Sequence, residues 1–564
     1  MKTTGISFLL GGYQSAVTNA LEKMRRSNIA ARIWANDFHV WKPAPEGISN
    51  RMGWLHAPVE TSANAGRIRA SLTPFTNGSI DDVVLLGMGG SSLSAEVFHK
   101  MIGSAPGFPG LQILDTTDPA AIRNVAEKLN LEKTLFIVSS KSGTTLEIIS
   151  LFNYFYNLAD GKQGISANEH FMVITDEGSP MLEQAWQLQL PYVFSNNRNI
   201  GGRYSALSLV GMIPAALIGV QIEKLLQNAA AVAAQEKADF FSGKGDSTGC
   251  ILGAALGTLA QYGRDKLTFI LPDSWQSFGD WLEQLIAEST GKEGRGILPV
   301  LNEPPVDVSV YGKDRVFVVF YDEREEWNSR ITELATAGHP VLKIRINDAY
   351  DLGGQMFLWE MATAVAAHLM GINPFDQPDV EATKMHTNRM IEEHKNSKEW
   401  PVAQPSFAAA DCDAYGDASG STISEMLTKF LSSAAANAYV GLQIYLSPSP
   451  QIDCALAELR AAISRNHGMA VTVGYGPRYL HSTGQLHKGD AGRGLFIQMT
   501  SADKSDLDIP DTLGKSGSSL TFGELKAAQA EADRLALMDK GRKIIRIHWK
   551  KDAVAGLKNL AADL

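Results

Sequence analysis

The fold is indicated by residues 83–92, which read VVLLGMGGSS, and by residues 134–145, which read TLFIVSSKSGTT. Each stretch begins with a short apolar run and continues into a loop of glycine and hydroxyl residues. Each loop precedes a helical pattern, at Ala95–Met101 and at Thr144–Leu158. A strand, a glycine-rich loop and a helix in this order are typical of a βαβ unit in a parallel sheet.

The same alternation continues along the chain and predicts an α/β fold of two doubly wound parallel-sheet domains, each with three layers, α/β/α. The first series of strands is expected at Val83–Met88, Leu111–Asp115, Leu135–Ser140, Phe171–Asp176 and Tyr192–Ser195. The second is expected at Leu267–Leu271, Val316–Tyr321 and Val341–Ile346. A third run, which we expect to complete the second sheet, comprises Tyr439–Leu446, Ala470–Tyr475, Gly494–Met499 and Ile544–His548.

Helical patterns fill the gaps between these strands, and further ones are expected at Pro119–Leu129, Asp280–Thr290, Glu326–Ala337 and Gln355–Met370. Residues 1–80 read as a helical and irregular segment, residues 81–245 as the first domain and residues 246–564 as the second. A stretch rich in Ala, Ser, Gly, Asp and Pro, at about 396–424, is expected to be a linker or surface excursion. The apolar run Ala206–Val220 is shorter than the roughly 20 residues of a membrane span and predicts a buried helix.

Composition limits the classes of function. With 51 Lys and Arg against 61 Asp and Glu, the net charge of −10 argues against general binding of nucleic acid or anionic membrane. A small anionic substrate stays possible, because a few local cations and backbone amides can bind phosphate. The three cysteines, Cys250, Cys412 and Cys454, form neither a disulfide framework nor a zinc motif and suggest the reducing cytoplasm. We expect no metal site and no cofactor.

Both glycine and hydroxyl loops have the composition of a phosphate site. Glycine lets the backbone approach a ligand closely, and the start of a helix presents free N–H groups to an anion. The ordinary alternative is helix capping by Ser and Thr. Two such loops after neighbouring parallel strands favour ligand binding, although they match neither the dinucleotide fingerprint nor a Walker loop. The residues expected to hold phosphate are Gly90, Ser91, Ser140, Lys141, Ser142, Thr144 and Thr145.

The pair of loops resembles a sugar isomerase (SIS) domain, and three later motifs extend the likeness. Residues 199–205 (NIGGRYS), 288–292 (ESTGK) and 373–377 (NPFDQ) are similar to the glucose-6-phosphate isomerase family, in the family's order. The strong part of the resemblance spans about residues 80–390. It implies that both predicted domains are of the SIS type.

A narrower resemblance covers the rest of the chain. Residues 41–43 (WKP), 51–55 (RMGWL) and 480–489 (LHSTGQLHKG) look like the isomerase half of transaldolase–isomerase fusion proteins. We expect no transaldolase half here, because a TIM barrel of about 250 residues does not fit ahead of residue 80.

The resemblance implies roles for residues around the reacting carbons. Glu288 matches the proton-transfer base, and Arg203, which follows Gly202, is expected to stabilise the enediolate oxygen. Gln377 and Lys384 are seven residues apart, a spacing that puts them on one helical face. The resemblance implies that both reach the substrate and that Lys384 assists ring opening. Gln284, one turn before Glu288, is a weaker candidate for the same pocket.

The ring-opening histidine is the point at which this chain departs from the family pattern. Between Glu288 and Gln377 the sequence offers only His339, at the start of a strand, and His368, in an apolar helix. The segment 480–489 resembles the family's histidine segment but follows Lys384 instead of preceding it. We therefore expect a relocated segment in which His481, or else His487, fills the role.

The activity that this resemblance implies is interconversion of glucose 6-phosphate and fructose 6-phosphate through ring opening and a cis-enediolate, in glycolysis and gluconeogenesis. The expected partner is a small sugar phosphate, without nucleic acid or membrane, and the expected assembly is a homodimer. Three alternatives stay open: an isomerase that also accepts mannose 6-phosphate, a non-catalytic SIS-domain regulator that binds sugar phosphate, and an isomerase that depends on a separate transaldolase.

Overall fold

The computed structural model describes residues 2–3, 5–241, 246–322, 325–397, 404–416 and 419–564. The N-terminal part consists of short strands followed by helices. The strands are β1 (Lys2–Thr3) and β2 (Ile6–Leu9), and the helices are α1 (Gln14–Arg26), α2 (Ile29–Trp34) and α3 (Ala57–Leu72).

The first sheet is entirely parallel. Its strands are β3 (Asp82–Leu86), β4 (Gly110–Leu114), β5 (Thr134–Ser140), β6 (Phe171–Asp176) and β7 (Tyr192–Asn196). They lie in the order β4-β3-β5-β6-β7. The accompanying helices are α4 (Leu93–Ile102), α5 (Pro119–Ala126), α6 (Leu146–Asp160), α7 (Pro180–Gln187) and α8 (Leu209–Leu217). Every residue of β5 is buried, as in a parallel strand with helices on both faces of the sheet.

The second sheet joins distant parts of the chain. Its parallel strands are β8 (Lys266–Ile270), β9 (Leu298–Val300), β10 (Arg315–Tyr321) and β11 (Val341–Arg345). The order is β1-β2-β11-β10-β8-β9, with β2 antiparallel to β11. The helices of this region are α9 (Ile222–Phe241), α10 (Thr248–Gln261), α11 (Gln276–Thr290), α12 (Glu325–Thr336), α13 (Asp351–Met370) and α14 (Val380–Ser397).

The last part of the chain forms a third sheet. Its strands are β12 (Phe407–Ala408), β13 (Cys412–Tyr415), β14 (Tyr439–Tyr445), β15 (Ala470–Tyr475), β16 (Gly494–Ser501) and β19 (Lys543–Trp549), while β17 (Asp508–Pro510) and β18 (Ser518–Thr521) pair separately. The order is β12-β13-β19-β16-β14-β15, and β14, β15, β16 and β19 are parallel. The helices are α15 (Ile423–Ser432), α16 (Pro450–His467), α17 (Gly484–Gly489), α18 (Phe522–Asp539) and α19 (Ala553–Asp563).

The predicted fold class, α/β with mostly parallel sheets flanked by helices, is confirmed, but two details are wrong. The third run of strands does not complete the second sheet but forms a sheet of its own, and the edge of the second sheet beside β11 is occupied by β2. Residues 1–80 are not only helical and irregular, because they contribute β1 and β2 to the second sheet.

The predicted excursion at about 396–424 is partly structured. β12 and β13 form one edge of the third sheet, and β13 pairs with β19. Residues 398–403 and 417–418 lie outside the described residues.

The first two sheets share one hydrophobic core, and the third has a core of its own as well as a smaller cluster that joins it to β9. The shared core includes Leu85 of β3, Val318 of β10 and Trp359 of α13, and the third sheet buries Val440 of β14 and Ile497 of β16 in a separate cluster. Both hydroxyl loops follow the carboxyl ends of neighbouring strands, β3 and β5. This edge is where open α/β sheets bind ligands.

Candidate active site

The first loop, residues 87–92, lies between β3 and α4 and has no room for side chains at its glycines. A Cβ on Gly90 would lie 2.1 Å from the carbonyl oxygen of Gly202. Gly89 has a φ of +55°, and a Cβ there would lie 2.9 Å from Nε2 of Gln284 and 3.0 Å from Cβ of His481. The loop therefore contacts the segments that carry Arg203, Gln284 and His481.

Hydroxyl groups in the two loops are not used as ordinary helix caps. Ser92 and Thr145 hold the N-cap positions of α4 and α6, yet neither side chain caps its helix. Ser142 Oγ accepts hydrogen bonds from the Thr144 N–H at 3.3 Å and from Thr144 Oγ1 at 3.1 Å. Ser140 Oγ accepts from the Gly143 N–H at 3.2 Å. These bonds shape the second loop around the start of α6, an arrangement suited to an anion.

Lys141 is already neutralised within the second loop. Its Nζ lies 2.5 Å from Oδ1 of Asp176, at the end of β6. Burial lowers the pKa of Lys141, while Asp176 opposes that shift. The backbone N–H groups and hydroxyls of the loop are thus left as its main donors for an anion.

Ser91, in the first loop, is buried beside Gly90.

The centre of the site is an ion pair between Arg203 and Glu288. Nη1 of Arg203 lies 2.9 Å from Oε1 of Glu288, and the two side chains are 3% and 14% exposed. Gln284, one turn earlier on α11, donates from Nε2 to Oε2 of Glu288 at 3.1 Å and to the carbonyl oxygen of His481 at 2.9 Å. The structure therefore brings together four predicted residues, which are Arg203, Gln284, Glu288 and His481.

Further hydrogen bonds fix the Arg203 guanidinium. Nε donates to Oγ of Ser289 at 2.8 Å, and Nη1 donates to Oε1 of Gln377 at 3.1 Å. Nη2 donates to the carbonyl oxygens of Pro374 at 2.6 Å and Asp376 at 2.9 Å. A guanidinium held from this many sides presents a fixed positive charge.

Lys384 is not brought to Glu288. Its side chain is 56% exposed and pairs with Glu381 at 2.9 Å, one turn away on α14. The argument that Gln377 and Lys384 share a helical face is wrong, because α14 begins at Val380, after Gln377. Gln377 reaches the site from the preceding loop.

His481 lies beside the first loop and pairs with a carboxylate that sequence reasoning missed. Its Nε2 is 2.9 Å from Oε1 of Glu147, in the first turn of α6. Gln529 Nε2 donates to the same oxygen at 2.7 Å. Burial opposes the charge of Glu147, but His481 and these hydrogen bonds hold its pKa below the ordinary value. Position alone could have indicated Glu147, since it follows the second loop directly.

Two other candidate histidines, His487 and His339, are packed among aromatic side chains. His487 is buried against Tyr439, Tyr479 and Phe496, and burial holds its pKa well below the ordinary value. His339 packs edge-on against Phe317, at the start of β11.

His368 is held by the backbone of the N-terminal part. Its Nδ1 lies 2.6 Å from the carbonyl oxygen of Val40. A carbonyl oxygen can only accept, so Nδ1 carries the proton and donates it in this hydrogen bond. The ring of His368 is therefore fixed by a structural contact with the N-terminal part.

Lys292 is a second buried cation, which the sequence motif contains but to which no role was assigned. Its Nζ contacts both the carbonyl oxygen and, at 2.8 Å, Oδ1 of Asp376. Burial and the charge of Arg203 lower the pKa of Lys292 to about 8. Because Arg203 also contacts Asp376, Asp376 contacts two buried cations, Arg203 and Lys292.

Within the described ranges, no group of three or more His, Cys, Asp or Glu side chains could hold a metal ion, and no helix is long and apolar enough to cross a membrane.

The fold and the site define a class of α/β protein in which two loops after parallel strands lie beside a buried carboxylate, a fixed arginine and a histidine–carboxylate pair. The family model described as phosphoglucose isomerase matches residues 62–295. A probable glucose-6-phosphate isomerase of Methanococcus maripaludis is 30% identical over an alignment of 349 residues that covers 54% of this chain and 77% of that protein. The chain belongs to the phosphoglucose isomerase family.

Other relatives agree with this membership. A glucose-6-phosphate isomerase of Clostridium tetani is 28% identical over an alignment of 386 residues that covers 59% of this chain and 85% of that protein. Among solved structures, a hypothetical protein from Thermus thermophilus has a TM-score of 0.57 at 24% identity and covers 68% of this chain and 99% of its own. A glucose-6-phosphate isomerase from Chlamydia trachomatis has a TM-score of 0.51 at 20% identity, with 71% and 90% covered. The two structures support the fold.

Proposed function

We propose that this chain is an enzyme, a glucose-6-phosphate isomerase, which interconverts glucose 6-phosphate and fructose 6-phosphate through ring opening and a cis-enediolate. The observation that carries the proposal is the buried Glu288 carboxylate, held 2.9 Å from Arg203 beside two loops suited to phosphate. Family membership and the names of the relatives support the same reaction.

Glu288 is the proposed base that takes a proton from one of the two adjacent carbons and returns it to the other. Gln284 and Arg203 orient its two oxygens. The negative charge that develops on the enediolate oxygen needs a positive charge that does not reorganise, and the firmly bonded Arg203 supplies one. Arginine keeps its charge at any physiological pH.

Phosphate binding is assigned to the two loops and supplies binding energy remote from the reacting carbons. The N–H groups at the start of α6 and the hydroxyls of Ser142, Thr144 and Thr145 are the main donors in this proposal. Gly90 and Gly202 contribute by allowing the two backbones to approach each other.

Ring opening is assigned to His481, with Glu147 as the carboxylate that orients its ring. Imidazole is suited to moving a proton near neutral pH. The proposed role of Lys384 requires a change of its side-chain position, since Lys384 is paired with Glu381. His487, buried among aromatic rings, is proposed to support the segment and not to touch the substrate.

All of the proposed catalytic groups come from one chain. The homodimer, the cytoplasmic location and membership of the group found in transaldolase–isomerase fusions are further proposals, supported by the sequence resemblance and by cysteine usage. The same purified chain, assayed with mannose 6-phosphate, tests the alternative of broader specificity.

The test is a coupled assay in which the purified chain receives fructose 6-phosphate and glucose-6-phosphate dehydrogenase reports the product. We expect turnover without added metal or a second protein. Binding of fructose 6-phosphate without turnover would instead support the regulator, and turnover only after a transaldolase is added would support a dependent partner.

A further inference from the structure

A large cavity lies next to the Glu288 site and is separate from it. Its volume is about 840 Å³, within the range of ligand-binding pockets. Of the described residues that line it, none is proposed above for substrate binding or catalysis. The cavity and the active site share two elements, α11 and the segment around His481. One face of each element contributes to the active site, and another face lines the cavity.

The cavity lies at the carboxyl ends of strands from all three sheets. Asp115 follows β4, Asn302 follows β9, Ser447 follows β14 and Gly476 follows β15, and all four residues line the cavity. The carboxyl ends of parallel strands are the usual ligand-binding edge of α/β sheets. In this protein, all three sheets contribute the carboxyl ends of their strands to the same cavity.

The described residues that line the cavity carry more negative than positive groups. The carboxylates belong to Glu96, Asp115, Asp118, Asp280, Glu283 and Asp453, and the cations are Lys100, Arg460 and Arg478.

Most of these carboxylates have a partner. Lys100 lies 2.6 Å from Glu96, and Arg478 lies 3.2 Å from Asp115. Asp118 pairs with Lys526 at 2.8 Å, and Asp453 accepts the Tyr475 hydroxyl at 2.5 Å.

Asp280 and Glu283 are held more weakly. In the described part of the chain neither forms an ion pair, although both line the cavity one turn apart on α11. Glu283 has a side-chain hydrogen bond with Ser482, and the positive charge of Arg478 acts on both carboxyl groups. Burial raises the pKa of Asp280 to about 6 and that of Glu283 to about 8. A bound cation favours the ionised form of a carboxyl group, so two carboxyl groups without an ion pair suit a positively charged guest.

A second observation on the same wall also indicates a ligand. The Arg460 side chain is 5% exposed and donates from Nη1 to the Asn302 carbonyl oxygen at 2.9 Å. Its Nε and Nη2 have no hydrogen-bond partner among the described residues. Buried donors are normally satisfied, so an acceptor is missing beside this arginine.

We propose that this cavity is a second small-molecule site, which takes a polar amine with its ammonium group at Asp280 and Glu283 and its hydroxyl or other acceptor groups toward Arg460. The site is independent of the isomerase reaction, so the proposal does not depend on the proposed function.

The test measures thermal melting of the full chain at low ionic strength with serinol, which carries one amine and two hydroxyls, and with glycerol, its neutral counterpart. A ligand that binds only the folded state raises Tm in proportion to its occupancy. We expect serinol to raise Tm with increasing concentration and glycerol to have no comparable effect. Equal shifts for serinol and glycerol, or no shift at all, would overturn the proposal.

The matched variants are the double change Asp280→Asn with Glu283→Gln and, as a control, Asp273→Asn, which removes an exposed charge just before α11. The double variant is expected to fold, because it removes two buried carboxyl groups that have no ion pair. Its affinity for serinol should fall at least about tenfold, while Asp273→Asn keeps the wild-type affinity. An unchanged serinol shift in the double variant would contradict the proposed position of the ammonium group.

Discussion

Arg203 shows how a single residue connects the parts of this site. Its guanidinium contacts Glu288 and Ser289 of α11 and the loop that contains Pro374, Asp376 and Gln377. The motif around Arg203 was enough to predict its importance. Its backbone partner Pro374 lies 171 residues away and could not be inferred from local pattern.

Phosphate binding gives the first prediction at this scale. Ser142→Ala and Thr145→Ala should each raise KM more than they lower kcat, because they remove hydrogen bonds to a group that does not react. Such bonds to a charged group are worth about 1.5–3 kcal/mol. Thr428→Ala, an exposed hydroxyl on α15, is the control and should change neither constant. Unchanged inhibition by a non-reactive sugar phosphate in both loop variants would contradict the assignment.

The assignment of ring opening to His481 gives the second prediction at the residue scale. His481→Ala should slow turnover of the cyclic substrate by about 10²–10⁴-fold, the usual contribution of general acid–base catalysis. Proton exchange in substrate supplied as the open chain should be much less affected. kcat for both forms of the substrate is the measurement.

His339→Ala is the control for this experiment. It should lower the melting temperature with kcat retained, because His339 packs against Phe317 at the start of β11. Loss of activity in His339→Ala at an unchanged melting temperature, with His481→Ala fully active, would rule out the relocated histidine.

The pairing of Glu147 with His481 was missed because the two residues are far apart along the chain. Glu147 and His481 are 334 residues apart, so no local spacing links them. Glu288 and the loop hydroxyls, in contrast, stand in compact motifs. The exposed position of Lys384 could not be foreseen, because it depends on where α14 begins.

At the scale of elements, the first loop and residues 201–203 pack backbone against backbone. A Cβ on Gly90 would overlap the Gly202 carbonyl, and backbone cannot move aside as a flexible side chain can. Gly90→Ala should therefore destabilise the fold by about 1–3 kcal/mol and remove most of the activity.

Gly66→Ala is the matched control for Gly90→Ala. Gly66 lies inside α3, and a Cβ there meets nothing within 4 Å. Helical Gly→Ala changes of this kind stabilise by about 0.4–1 kcal/mol, so activity should persist with a slightly higher melting temperature. Equal activity of the two variants would contradict the close approach of the loops.

Strands were more predictable than helix starts. The predicted parallel strands lie within two residues of the observed ones, because such strands are buried on both faces, but β9, a parallel strand of only three residues, was not predicted. α11 and α13 each begin four residues before the predicted start. α11 follows a 3-10 turn at Asp273–Trp275, and α13 contains Gly353 and Gly354 in its first turn. β2, with four residues, is too short for its alternation to be distinctive.

At the scale of the molecule, sequence order misled about the sheets. The third sheet follows the second along the chain, but the edge beside β11 is filled by β2 from the N-terminal part. We propose that residues 81–245 form one SIS-type domain, that the second begins near residue 246 and ends with α14, and that the third sheet is a separate unit supplying His481.

This arrangement predicts how activity depends on concentration. Because His481, Glu147 and Glu288 all come from one chain, specific activity should stay constant over a roughly thousandfold dilution, whether or not a homodimer forms. Assays at each dilution, with oligomeric state followed by light scattering, test this. A loss of activity that parallels dissociation would mean that a partner chain completes the site.

The central claim is that Glu288 transfers the proton in an aldose–ketose isomerisation. Its most direct test is the coupled fructose 6-phosphate assay of the wild type beside Glu288→Gln, with Glu293→Gln, an exposed glutamate nearby, as the control. We predict a wild-type kcat of about 1–10³ s⁻¹, retained by Glu293→Gln. Glu288→Gln should lose about 10²–10⁴-fold in kcat with its melting temperature and its binding of sugar phosphate unchanged. A Glu288→Gln variant with more than roughly a tenth of the wild-type kcat would contradict the claim.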